Sequence, residues 1–119
     1  MELIFHKFDD TAIAEVVSDE IVIGDLQDAL DLIGDASYNG AHRIIIKEEN
    51  IISDFFRLSS GIAGEILQKC VNYNVKLAII GSWDKPMSQS LRAFIIECNR
   101  GNQFFFVESF QKAKEMLIK

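Results

Sequence analysis

The sequence predicts an α/β fold: a mostly parallel, mixed central β-sheet with an N-terminal hairpin and helices packed against it, in the order β-β-α-β-α-β-α-β-α. Three observations carry this. Residues Ile44-Ile46 and Leu77-Ile80 are short, wholly apolar runs, and strands covered on both faces read this way because they lose the apolar/polar alternation. One long amphipathic segment separates them, which makes a parallel crossover unit, almost always right-handed. Ahead of it, LIFHKF and TAIAEVV (residues 3–8 and 11–17) are rich in β-branched and aromatic residues and flank Asp9-Asp10, the pattern of a hairpin.

Taken in order, residues 21–23 (IVI) add a short extended piece after the hairpin. A first helix is predicted from Asp25 to Ser37, with Leu26, Ala29, Leu30 and Ile33 as its buried stripe. Asp25 and Asp28 fall in its first turn, where the helix dipole favours negative charge, and Tyr38-Asn39-Gly40 supplies stop chemistry. The strand Arg43-Lys47 and the turn Glu48-Glu49-Asn50 follow. A second helix is predicted over Gly61 to Asn72, with Ile62, Ile66, Cys70 and Tyr73 on one face and Ala63, Leu67 and Val71 beside it. Gly61 and Gly64 each cost a helix roughly 1 kcal/mol relative to Ala, and close packing on the sheet is the expected reason for them. Asn74 suits a left-handed stop. After Leu77-Ile80 and the loop from Gly81 to Pro86, a third helix shows Leu91, Phe94, Ile95 and Cys98 at helical spacing. Phe104-Val107 is the last strand. Ser109 caps a last helix whose inner face is Phe110, Ala113 and Leu117.

Composition bounds the rest. With 119 residues, 49% of them apolar, nine Phe and one Pro, the chain reads as one globular domain with a single well-covered core. No apolar run approaches the roughly 20 residues that span a bilayer, and MELIFHKFDD lacks a signal-peptide pattern, so a cytoplasmic location is expected. Cys70 and Cys98 both lie on apolar helix faces and read as buried free thiols. The net charge of −6 is unevenly spread: residues 1–56 carry 13 Asp/Glu against 3 Lys/Arg, and residues 57–119 carry 5 against 9. An acidic chain without a basic stripe is a poor nucleic-acid binder. The asymmetry suits head-to-tail association of two copies or steering of a charged partner, and equally a solvated surface.

Two resemblances add to this reading. The wording SDFFRLSSGIAGEILQKCVNYNVKLAIIG, with SLRAFIIECNRGNQFFFV further on, resembles an uncharacterised bacterial family, domain-of-unknown-function family 4180. That likeness covers most of the chain and, since the family has no known activity, implies none. From about Ala12 onward the element order also resembles the STAS domain, the fold of bacterial anti-sigma-factor antagonists. The STAS likeness implies a regulatory protein partner and an Asp-Ser-Ser-Gly signature where the central strand's loop enters the next helix. In that family a partner kinase phosphorylates the first Ser, which switches binding. By wording, Leu58-Ser59-Ser60-Gly61 matches, with Leu58 in place of the Asp and Ser59 as the phosphorylation candidate. By distance to the next strand, Asp54-Phe55-Phe56-Arg57 fits at least as well. Residues 54–60 then form a first helical turn capped by Ser53, and no serine occupies the switch position. The family's acidic residue near the first helix has no clear counterpart among Ile23, Gly24 and Asp25.

In α/β sheets, sites form at the carboxyl ends of the strands. There the sequence gathers Asp54, Arg57, Ser59, Ser60, Trp83 and Lys85 as a candidate partner- or anion-binding edge. A helix N-terminus with hydroxyls and cations nearby can hold a phosphate or carboxylate, and an exposed Trp83 would anchor a partner, although it equally often folds back over the sheet edge; capping hydroxyls with an ordinary surface Lys and Arg are the plainer account. His6 and His42 lack neighbours at metal-ligand spacing. Glu48-Glu49 reads as a solvated turn rather than an acid/base pair. There is no Gly-rich phosphate loop and no G-x-S-x-G elbow around Ser59 or Ser60. A phosphorylated receiver domain is excluded, because TAIAEVV replaces its first helix and the third strand ends in Lys-Glu-Glu. The expectation is a non-enzymatic regulatory module that works by protein–protein contact, without a cofactor or metal. The alternative is a binder of, or enzyme on, a small anionic ligand using Arg57, Ser59, Ser60 and Lys85. A homodimer through the charge asymmetry or the hairpin edge is a further expectation.

Overall fold

A computed structural model describes all 119 residues. The two N-terminal strands, β1 (Glu2–Phe8) and β2 (Thr11–Val17), form an antiparallel hairpin closed by Asp9-Asp10. Asp9 takes a left-handed φ of 56°, a conformation that Asp tolerates better than most residues. From β2 the sheet continues in parallel through β3 (Arg43–Lys47), β4 (Lys76–Ile80) and β5 (Phe104–Val107), so spatial order equals chain order. Helix α1 (Leu26–Tyr38) joins β2 to β3, α2 (Ile62–Asn72) joins β3 to β4, and α3 (Gln89–Arg100) joins β4 to β5. Helix α4 (Phe110–Leu117) ends the chain.

Sequential strands joined by right-handed crossovers must put every connecting helix on one face. The larger core follows: Ala14, Val16, Ile44, Ile46, Leu77, Ile79, Phe104 and Phe106 of the sheet pack with the buried stripes of α1, α2 and α3. The strand residues between them point the other way. Ile13, Ile45, Ala78, Phe105 and Val107 meet Ala113 and Leu117 of α4. Both faces of β3, β4 and β5 are therefore covered, which is why these strands are unbroken apolar runs.

Several expectations need correcting. Helix α2 begins at Ile62, not Gly61, because Gly61 sits at φ 81° just outside it. Its role is that left-handed turn rather than close packing. Gly64 packs on nothing either: a Cβ there would meet no atom within 4 Å. Tyr73 and Val71 are exposed, and the buried stripe of α2 is Ala63, Ile66 and Cys70. In α1 the buried set is Ala29, Leu32, Ile33 and Ala36, with Leu26 and Leu30 only half-buried. Residues 54–60 are not a first turn of α2. The stretch after β3 forms three short 3-10 turns, Glu48–Asn50, Ser53–Phe56 and Leu58–Ser60, and the Ser53 side chain caps none of them.

Candidate functional site

The carboxyl ends of β3, β4 and β5 carry a rim made of the three 3-10 turns, the loop after β4 and the start of α4. An open depression of about 630 Å³ lies between them, with Glu48, Glu49, Ser53, Gly81, Ser82 and Glu108 in its lining. It is mainly acidic, with Lys47 its one cation.

The 3-10 segment is held from below. Asn50 is fully buried and donates through Nδ2 to the carbonyls of Ser18 (2.9 Å) and Glu20 (2.8 Å). Its own carbonyl accepts from the N–H groups of Val22 and Ile23, and Ile23 bridges to Ile51. That bridge is the extended piece expected at residues 21–23. Phe55 is 1% exposed and packs against Phe56 and Phe104. Burying these apolar groups leaves their neighbours facing outward, so Ser53, Arg57 and Ser59 are exposed.

Most of the six candidate residues are engaged with their surroundings. Arg57 pairs with Asp54 at 3.4 Å, both on the surface. Ser60 donates to the Asp54 carbonyl at 2.7 Å and accepts from the Ile62 N–H, tying the last 3-10 turn to α2. Ser59 is exposed and makes no side-chain hydrogen bond. It stands at the entrance to α2, with two 3-10 turns between it and the tip of β3. Lys85 pairs with Glu48 and lies 5.6 Å from the centre of the Trp83 ring.

Trp83 is not an exposed anchor. It is 6% exposed, donates through Nε1 to the Val107 carbonyl at 2.8 Å, and packs edge-on against Phe106. It folds over the sheet edge and fixes the loop after β4. The structure thus brings Trp83 and Lys85 together, and Asp54, Arg57 and Ser60 together, while Ser59, in the same turn as Ser60, joins neither set through its side chain. The two cations face carboxylates rather than a shared anion cradle.

Three further residues build the rim without having been singled out. Arg92 of α3 donates to the carbonyls of Trp83 and Lys85, closing the loop from the other side. Gly81 lies so close to Glu48 and Trp83 that a Cβ would collide with the Glu48 carboxylate and come within 2.8 Å of the Trp83 ring. Asn50 lies in a turn whose Glu-Glu-Asn wording suggests solvent, and only its burial betrays the latch. For Arg92 the helical pattern gives no signal; Gly81, directly after an apolar strand, was the legible hint of a close approach.

The thiols are not reactive partners for this rim. Burial pushes Cys70 up to about 12 from an ordinary 9.0, and burial followed by the Glu97 carboxylate pushes Cys98 up to about 11. Both stay protonated at neutral pH, whereas the thiolate is the nucleophile. No group of three or more His, Cys, Asp or Glu side chains is placed to hold a metal ion. His6 instead pairs with Glu15 at 2.8 Å on the hairpin.

The rim's sequence coincides with a known family pattern: the profile described as a domain of unknown function, DUF4180, matches residues 8–117. The chain belongs to the DUF4180 family. No curated protein and no solved structure matches it. Nearly the whole DUF4180 domain, from the end of β1 to the end of α4, lies inside the matched span. No helix in it is long and apolar enough to cross a membrane.

Proposed function

We propose that this DUF4180 domain is a non-enzymatic, regulatory protein-interaction module of the cytoplasm, and that its contact surface is the 3-10 ridge from Ser53 to Ser60. The observation that supports this best is the alternation along the ridge. Ile51 and Phe55 are buried at 3% and 1%, while Ser53, Arg57 and Ser59 face solvent. A ridge fixed in this way presents its side chains with little ordering cost on binding. The likeness of the element order to bacterial anti-sigma-factor antagonists points in the same direction. Ser59 is the hydroxyl left for a phospho-switch of their kind, since Ser60 is engaged in holding the turn.

The test is affinity capture with the wild-type chain, an Arg57→Ala/Ser59→Ala variant and a Tyr38→Ala control on the 91% exposed end of α1. The expected result is a partner retained by wild type and control and lost by the ridge variant. Equal recovery by all three would remove the ridge from the interface. The anionic-ligand reading is less well supported, because Arg57 and Lys85 are both paired with carboxylates. A rise in melting temperature with millimolar phosphate or a nucleotide would revive it.

A further inference from the structure

The two edges of the sheet are built differently. At the β5 edge, Asn99 of α3 turns its side chain onto the strand: Nδ2 donates to the Phe106 carbonyl (3.2 Å) and Oδ1 accepts from the Phe106 N–H (2.8 Å). A side-chain amide there occupies the place of a sixth strand. At the other edge nothing covers β1. It runs unbroken from Glu2 to Phe8, in register with β2 at every position, with no Pro, Gly or bulge. Natural edges of this length are normally protected by such devices.

Which backbone groups are free follows from the hairpin. A two-residue loop closes on a hydrogen-bonded pair, and here Phe8 faces Thr11 across Asp9-Asp10. Counting back by twos, Ile4 and His6 turn their backbone groups to β2, while Leu3, Phe5 and Lys7 turn theirs outward. The side chains at this edge are apolar in the middle. Ile4 is 39% exposed and Phe5 is 41% exposed. Because Ile4 and Phe5 alternate, one lies on the α4 face and the other on the three-helix face.

We propose that this edge is where the chain meets a second copy of itself, β1 running antiparallel to β1 about a two-fold axis at Ile4. The register is fixed by complementarity. A two-fold axis perpendicular to the sheet keeps each residue on its own face, so only residues of like parity stand opposite one another. With the axis at Ile4, the outward backbone groups of Leu3 pair with those of Phe5 of the second copy. Glu2 stands opposite His6 of the second copy, and Ile4 opposite Ile4 in a non-hydrogen-bonded pair, where side chains approach most closely. Lys7, the residue that would guard the edge, sits at its end opposite Met1. Moving the axis to Phe5 would instead set Phe5 against Phe5 in a hydrogen-bonded pair, where side chains stand further apart, and would leave Ile4 against His6 and Glu2 against Phe8, so two apolar side chains would face polar ones. The result is a continuous ten-stranded sheet closed by symmetry, whose outer edges each carry the Asn99 amide across Phe106.

Sedimentation equilibrium with cysteine cross-linking tests this on the full chain. Wild type is expected at twice its 13.5 kDa mass. Ile4→Lys, which sets like charges face to face, is expected to weaken the dimer by at least about tenfold. Phe5→Pro removes an outward N–H and no intrachain ladder bond, and is expected to be monomeric with unchanged circular dichroism. Under oxidation Ile4→Cys is expected to cross-link to itself and Phe5→Cys is not; wild type, with Cys70 and Cys98 alone, is the blank. A monomeric wild type at millimolar concentration, or an Ile4→Lys chain that dimerises as well as wild type, overturns the proposal. Cross-linking through Phe5→Cys but not Ile4→Cys overturns the register.

Discussion

Gly81 is the tightest point of the rim. A methyl group there would collide with the Glu48 carboxylate and meet Glu48 Cβ at 2.9 Å and the Trp83 ring at 2.8 Å, while the Gly81 N–H is already fixed to the Val107 carbonyl at 2.9 Å. Gly81→Ala is expected to destabilise the domain by about 1–3 kcal/mol, the usual range for overpacking, and to break the Lys85–Glu48 pair. A lower urea midpoint with an unchanged slope would show it. Cys70 gives a second expectation, in pH. Its native pKa is raised to about 12 from 9.0, so between those values the unfolded chain releases a proton that the folded one keeps. The stability tied to this thiol is complete below pH 9 and falls as pH rises toward 12. In urea melts from pH 8 to 10.5, Cys70→Val should flatten the alkaline decline by up to roughly 1 kcal/mol per pH unit; an equally steep decline would refute the assignment. At this scale the sequence was legible where a residue type has one dominant use. Ser109 caps the last helix as expected, as such a residue does at a helix start, whereas Asp25, expected inside the first turn of α1, is its cap. The sequence was not legible for Asn50, whose polar neighbours suggest solvent, and it left Trp83 open between an exposed anchor and a ring folded over the sheet edge. Their burial depends on carbonyls brought near by the sheet, those of Ser18 and Glu20 for one and of Val107 for the other.

The elements divide into those that local pattern specifies and those that tertiary contact specifies. Strands β3, β4 and β5, the hairpin and helices α1, α3 and α4 lie within a residue or two of where their apolar periods put them. The segment from Glu48 to Gly61 does not, since a 3-10 turn has too few residues to show a period and its apolar residues could equally be a first turn of α2. Which of them face inward is decided by the space beneath β3 and β5, which Phe55 fills. Helix α4 is the most exacting element. It has eight residues, yet it alone covers Ile13, Ile45, Ala78 and Phe105, and its terminal carbonyl at Leu117 accepts from Arg43 Nε at 2.5 Å. Leu117 is fully buried. Leu117→Ala is therefore expected to cost about 3 kcal/mol. Because an eight-residue helix has little stability of its own, hydrogen exchange should show α4 opening ahead of the strands beneath it. Uniform protection across α4 and β4 in the variant would show that the helix does not open separately.

At the scale of the whole molecule, the chain-order sheet turns an asymmetry of sequence into one of space. The acidic first 56 residues, with 13 carboxylates against 3 cations, build β1, β2, α1, β3 and the first turns of the rim. The basic remainder, with 9 cations against 5 carboxylates, builds the far side with α3 and β5, while α4 crosses back toward the hairpin, setting Phe110 against His6 and Lys114 over the Phe8 ring. The sequence shows the charge imbalance, but only the strand order 1-2-3-4-5 makes it an end-to-end polarity. Two modes of self-association then respond oppositely to salt. Head-to-tail contact joins an acidic end to a basic one, and screening weakens it. It also needs the β5 edge that Asn99 occupies. Pairing through β1 brings two acidic ends together, so the backbone ladder and the Ile4 contact must overcome a repulsion that screening relieves. The Debye length shrinks from about 30 Å at 0.01 M salt to about 8 Å at 0.15 M, and the molecule is 38 Å along its longest axis. Most of that repulsion is therefore expected to disappear over this interval. Dimer affinity measured by sedimentation should rise with salt across it and then level off, and a dimer that instead falls apart on adding salt would be held head to tail.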